Sequence, residues 1–137
     1  MKKIVITGGL GYIGTELCKI YSGYSWNDKI IVIDNRFVSE RVNQIRNWNM
    51  DFIQGDILDK NLIKKYCSDA DVVHHLAGIT DVPRVKSESN ELHDKKIKEV
   101  AEEGTQNILD VIKDDCKIIM PSSHVVYEGM EKVKNNI

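Results

Sequence analysis

The sequence lacks the features that mark a secreted, membrane-spanning or nucleic-acid-binding chain. Cysteine is sparse: Cys18, Cys67 and Cys116 are the only three. They are far apart, odd in number and without metal-ligand spacing. A disulfide framework and a zinc site are therefore not expected, and the thiols read as reduced groups of a cytoplasmic protein. An excess of one charge is also missing. Nineteen Lys and Arg face twenty-one Asp and Glu, a formal net charge of −2, so nucleic acid is not expected as a partner. No apolar run approaches membrane-spanning length. At the start, Ile4-Val5-Ile6 is followed at once by glycines, too short a run for a signal peptide. There is no repeat, low-complexity segment or internal linker, and residues 1–137 read as one domain.

What is present is an alternation of short apolar runs with amphipathic stretches. Ile4–Ile6, Ile30–Ile33, Met50–Ile53, Val72–Leu76 and Lys117–Met120 read as five strands. Helical spacing of apolar residues predicts helices over about 11–21 and 58–67, and a long one over about 92–112. Residues 36–49 are polar with scattered apolar positions, and read as a loop with at most one short helix. Continuous apolar strands between helices imply a parallel sheet covered on both faces. Right-handed crossovers then give an α/β, Rossmann-type, doubly wound fold with strand order 3-2-1-4-5, stopping before a sixth strand.

The central motif is Thr7-Gly8-Gly9-Leu10-Gly11-Tyr12-Ile13-Gly14. Gly8 can supply the backbone angles of a sharp strand-to-helix turn. Gly11 has no side chain to obstruct a pyrophosphate approaching the backbone N–H groups of the helix N-terminus, where the dipole favours an anion. Gly14 allows the helix to pack close to the strand. Alone, a glycine triplet also describes an ordinary tight turn. Here a strand precedes it, a helix follows, and an acidic residue arrives on schedule, the context of a dinucleotide site. That residue is Asp34, twenty positions beyond Gly14 at the end of the second strand. A carboxylate there can accept hydrogen bonds from the adenosine ribose and would repel a 2′-phosphate, so NAD is expected over NADP. The alternative is a turn aspartate in an Asp-Asn pair. Arg36 leaves an opening for NADP.

These residues resemble the extended short-chain dehydrogenase/reductase family, the nucleotide-sugar epimerases and dehydratases. The glycine motif is similar to that family's opening, and Asp34-Asn35 to its ribose-binding pair. Gly55-Asp56-Ile57 resembles the segment that holds the adenine. His75-Leu76-Ala77-Gly78 resembles the loop that lies along the cofactor. Gly104-Thr105-Gln106-Asn107 resembles its Gly-Thr-x-Asn helix, and Ser122-Ser123-His124-Val125-Val126-Tyr127 its Ser-Ser-x-x-Val-Tyr stretch. The resemblance implies NAD held by Gly8, Gly11, Tyr12, Ile13, Gly14, Asp34, Asn35, Asp56, Ile57, Leu76, Ala77 and Gly78. It implies Ser123 as the catalytic hydroxyl that bonds the reacting oxygen, a nucleotide-sugar substrate for the full-length enzyme, and a homo-oligomer paired through the long helix.

Two departures stand out. The family's catalytic Tyr-x-x-x-Lys is absent: Tyr12, Tyr21, Tyr24, Tyr66 and Tyr127 are followed four residues later by Glu16, Ser25, Asp28, Ala70 and Glu131. The expectation is a cofactor-binding half, inactive alone, with the sugar-binding part further along a longer chain. A non-catalytic dinucleotide-binding regulatory or sensor module remains the alternative. Ala101 stands where many relatives carry Asn three residues before the helix Gly-Thr. His74 and His75 are adjacent on a strand, so their side chains oppose each other and do not suit one metal ion. The Asp81-Val82-Pro83-Arg84 loop is a further candidate for contact with substrate or cofactor phosphates.

Overall fold

The computed structural model describes residues 1–24, 27–79 and 91–123. Nine elements follow in order: β1 (Lys3–Thr7), α1 (Tyr12–Tyr24), β2 (Lys29–Asp34), α2 (Ser39–Asn47), β3 (Asp51–Gln54), α3 (Lys60–Cys67), β4 (Val72–His75), α4 (Glu91–Leu109) and β5 (Lys117–Ile119). The sheet has the order β3-β2-β1-β4-β5, and its four ladders are parallel. This is the doubly wound order expected from the alternation of strands and helices.

Strand alternation divides the core in two. Ile4 and Ile6 of β1 join Ile30 and Val32 of β2, with Leu10, Cys18, Val42, Ile45 and Met50, on the α1/α2 face. Val5, Ile31 and Ile33 face the other way and pack with Ile57, Ile63, Cys67, Val73 and Ile108 under α3 and α4. The period of two puts successive residues on opposite faces, and the in-register pairs Ile4–Ile30 and Ile6–Val32 keep each set together. A fully buried aliphatic side chain of this kind is worth about 1.5–3 kcal/mol.

The structure corrects several boundaries. The segment 36–49 contains the true helix α2, which buries only Val42 and Ile45. Helix α1 runs past Tyr21 to Tyr24, with the Ser22 hydroxyl donating back to the Lys19 carbonyl at 2.7 Å. Helix α4 stops at Leu109, and turn residues lead on to β5. Cys18 and Cys67 are buried free thiols and Cys116 is half-buried. Burial pushes the first two up to about 12, so neither is a ready nucleophile.

Candidate functional site: the C-terminal edge of the sheet

All the parallel strands end on one edge, so the candidate residues collect there. Gly8 leaves β1, Asp34 ends β2, Gly55 and Asp56 follow β3, Leu76 to Gly78 follow β4, and Ser123 follows β5. In an open α/β sheet this edge, at the strand-order reversal between β1 and β4, is where a ligand crevice forms.

The glycine turn is built by close backbone approach. Gly8 has φ +69°, and a Cβ there would lie 2.7 Å from the Leu76 carbonyl carbon and the Ala77 nitrogen. It is therefore required both for the turn and for contact with the β4 loop. A Cβ on Gly14 would meet the Gly8 oxygen and the Gly9 Cα at 2.6 Å, so Gly14 packs against the turn itself. Among the described residues, its chain neighbours apart, a Cβ on Gly11 would meet the Gly8 oxygen alone, at 3.3 Å. Gly9 was not singled out from the sequence, yet its Cβ would fall 2.1 Å from Val32 Cγ1. The first i→i−4 bond beyond the turn is Thr15 N to Gly11 O, 2.9 Å. The N–H groups of Tyr12, Ile13 and Gly14 precede it and form the donor end of α1. Tyr12 and Ile13 are 86% and 66% exposed, leaving that end accessible to an anion.

Asp34 does more than end a strand. Its carboxylate is buried, and accepts from Leu10 N and Arg36 N, both at 3.0 Å. The Arg36 Nε lies 3.5 Å from the same carboxylate. Arg41 of α2 donates to the Leu10 carbonyl and stands over the Tyr12 ring at 5.5 Å. The sequence offered no sign of Arg41, because its partner is thirty-one residues away.

The helix motif docks on the β3 loop. A Cβ on Gly104 would lie 2.3 Å from Ile57 Cδ1, and Asn107 Nδ2 donates to the Ile57 carbonyl at 3.0 Å. Ile57 is therefore buried, whereas Asp56 is exposed, its Oδ1 accepting from Leu58 N at 2.9 Å. Asn35 is exposed, with its carbonyl accepting from Gln54 at 3.3 Å. Leu76 and Ala77 are half-buried, Gly78 is exposed, and Ser123 is exposed beyond β5. The loop 81–84 and Tyr127 lie outside the described residues.

The two histidines do point apart. His74 Nε2 meets the Tyr21 hydroxyl at 2.6 Å on the α1 face. His75 bridges Thr7 Oγ1 at 2.8 Å and Thr105 Oγ1 at 2.9 Å on the α4 face. Burial lowers both ring pKa values below the usual histidine range, so both are neutral at pH 7. Among the described residues, no three His, Cys, Asp or Glu side chains are grouped to hold a metal ion, and no helix is long and apolar enough to cross a membrane.

Comparison with known proteins agrees with this geometry. The profile of the 3-beta hydroxysteroid dehydrogenase/isomerase family matches residues 5–135. CDP-paratose 2-epimerase of Salmonella typhi is 33% identical over 98% of this chain and 40% of its own length. The dTDP-D-glucose 4,6-dehydratase of Dictyostelium discoideum is 31% identical over 99% of this chain and 32% of its own. Among solved structures, UDP-glucose 4-epimerase from Brucella ovis, in complex with NAD, superposes with a TM-score of 0.72 at 27% identity, over 97% of this chain and 39% of that one. The chain thus spans two fifths or less of the length of these relatives. It belongs to the 3-beta hydroxysteroid dehydrogenase/isomerase family, and it is homologous to the N-terminal part of the extended short-chain dehydrogenase/reductases that include the nucleotide-sugar epimerases and dehydratases.

Proposed function

We propose that this chain is an NAD(H)-binding module, the cofactor half of an epimerase- or dehydratase-like enzyme acting on a nucleotide sugar. The observation that carries the reading is the glycine turn, with Gly11 bare of a side chain at the N-terminus of α1, beside a buried Asp34 at the end of β2. The residues fit the group. The pyrophosphate has backbone donors at Tyr12, Ile13 and Gly14. Asp34 carries a carboxylate for the ribose hydroxyls, oriented by Leu10 N and Arg36 N. Asp56 and Ile57 border the adenine, and Leu76, Ala77 and Gly78 line the route toward the nicotinamide. Asn35 completes the adenosine end.

When bound, NAD supplies a hydride acceptor and donor. The chain's own part is to hold and orient it. Ser123, leaving β5 at the same edge, is assigned to hydrogen-bond the reacting oxygen of a sugar. It cannot take that proton at neutral pH, and no Tyr-x-x-x-Lys occurs among the 137 residues to do so. The named activities of the relatives point to a nucleotide sugar, whereas the family description names a hydroxysteroid. The nucleotide sugar is favoured because the individual relatives that align over nearly the whole chain act on such substrates by name.

Calorimetry with NAD and NADP tests the reading. NAD is expected to bind the more tightly, because a 2′-phosphate would approach the Asp34 carboxylate. Equal or tighter binding of NADP would overturn the ribose assignment.

A further inference from the structure

His75 occupies the middle of a chain of hydrogen bonds whose direction is fixed at both ends. At one end the Thr105 hydroxyl donates to the Ala101 carbonyl at 2.6 Å. Its single proton is thereby used, so toward His75 Nε2, 2.9 Å away, it can only accept. The ring must therefore carry its proton on Nε2, and Nδ1 is the acceptor. Thr7 Oγ1, 2.8 Å from Nδ1, is then the donor. At the other end the same Thr7 oxygen accepts from the Ala77 backbone N–H at 3.3 Å. The chain runs from Ala77 through Thr7 and His75 to Thr105 and Ala101, and it joins β1, β4 and α4.

We propose that His75 is a positioning residue for the cofactor: its neutral, Nε2-protonated ring holds the Leu76-Ala77-Gly78 loop in place through Thr7. The proposal rests on the reading of this edge as a dinucleotide site. A proton on Nδ1 would leave the Thr7 hydroxyl facing a donor, strip its hydrogen of an acceptor and place a charge in a buried position, each of them unfavourable. Turning the hydroxyl hydrogen away from the ring redirects the lone pairs of Thr7 Oγ1 and so weakens the 3.3 Å bond from the Ala77 amide.

Among the described residues no charged group offsets that cost. Burial alone lowers the ring's pKa. From β1 the ring meets Thr7. Lys3, the charged residue of that strand, lies at its opposite end against Asp69. From α4 it meets Thr105, and the neighbouring Lys98 and Glu102 pair with each other at 3.9 Å on the exposed side. On β4, His74 points to the other face, toward Tyr21.

Two measurements on the full chain test this. Nuclear magnetic resonance of the ring nitrogens and the Ala77 amide, without nucleotide, should show Nε2–H and an amide that loses protection as His75 takes up a proton. Calorimetry with NAD from about pH 7.5 to about pH 5 should show affinity falling below the ring's pKa, by up to roughly tenfold per pH unit, toward the weaker binding of the protonated form. His75→Gln has no proton to gain; it should bind more weakly at neutral pH and show no such fall. His74→Gln should keep the fall. An Nδ1–H ring, an Ala77 amide indifferent to His75 protonation, or a wild-type pH profile in His75→Gln would each overturn the proposal. Resonance results as expected in a chain that binds no NAD at any pH would overturn the cofactor reading alone, and leave His75 as the holder of the loop.

Discussion

The Asp34 carboxylate accepts a hydrogen bond from the Leu10 amide at 3.0 Å, tying the end of β2 to the middle of the glycine turn. One residue thus shapes the turn from within and offers its remaining lone pairs to a ligand. Bonds to a buried ionised carboxylate are worth about 1.5–3 kcal/mol, and an amide left without its acceptor costs about 1–3 kcal/mol. Asp34→Ala is therefore expected to lower thermal stability as well as weaken NAD binding by about 1–3 kcal/mol. Calorimetry together with a melting curve checks both; weakened binding with unchanged stability would show that the Leu10 bond contributes nothing.

Gly11 and Gly14 should respond differently to substitution. Gly11→Val is expected to abolish NAD binding with the fold largely retained, because the side chain would occupy the space for the pyrophosphate. Gly14→Ala forces a Cβ to within 2.6 Å of turn backbone, and should destabilise the chain by about 1–3 kcal/mol, as overpacking does. Urea unfolding of the two variants separates the effects. A large loss of stability in Gly11→Val would show that the 3.3 Å approach of a Cβ to the Gly8 oxygen, and not the pyrophosphate, is what requires glycine there.

Turnover of a nucleotide sugar by the 137-residue chain is expected to be undetectable. General acid–base catalysis supplies about 10²–10⁴ in rate, and a hydroxyl such as that of Ser123 cannot provide it alone. An epimerase or dehydratase assay on the purified chain is the check. Measurable turnover would mean that another residue of the chain serves as the base.

Stability should rise with pH through the window just below the normal histidine range. His74 and His75 both have folded pKa values lowered by burial. Between those values and the unfolded value of about 6.5 the unfolded chain binds more protons, so stability increases as pH rises. The gain is complete above the unfolded pKa and is lost as pH falls through the folded values. Urea midpoints at about pH 5 and about pH 7.5 should differ in that sense, and the difference should shrink in a His74→Gln, His75→Gln double variant.

Association is expected to be at least dimeric. In the described sheet β5 has β4 on one side and no strand on the other, and Ile119 and Met120 beside it are exposed. Such edges favour strand addition. Helix α4 adds a second surface, with Leu92 81% exposed. Sedimentation at micromolar concentration decides it, and a monomer there would count against both surfaces.

Much of the architecture was legible because parallel strands buried on both faces leave continuous apolar runs. Helix α2 was legible only as a short helix without bounds, since it buries only Val42 and Ile45, and its N-cap Val38 makes no capping side-chain bond that the usual Ser or Asp signature would announce. The end of α1 was misplaced because Ser22 and Gly23 resemble a turn, whereas Ser22 bonds within the helix. In the candidate site, Gly8 and Asp34 showed themselves through spacing. Gly9 against Val32, Arg41 on Leu10, and Thr7 and Thr105 on His75 did not. Each depends on a contact between segments distant in sequence, and single-residue patterns carry no record of such meetings.

The division of the core by strand alternation has a counting rule hidden in it. Asp34 has the same parity as Ile30 and Val32, so it shares their side of the sheet and reaches Leu10, a member of that same cluster. Thr7 has the parity of Val5 and lands on the α4 side with His75. Removing a single residue inside β2 would turn Asp34 away from the glycine turn while exchanging the two oily faces behind it. Removing two would restore both at once. The strands therefore act as a reading frame for the ligand edge, and because β2 is aliphatic and buried on both faces, the oily residues read alike in either frame: it is the Asp34 carboxylate on the Leu10 amide that marks the right one.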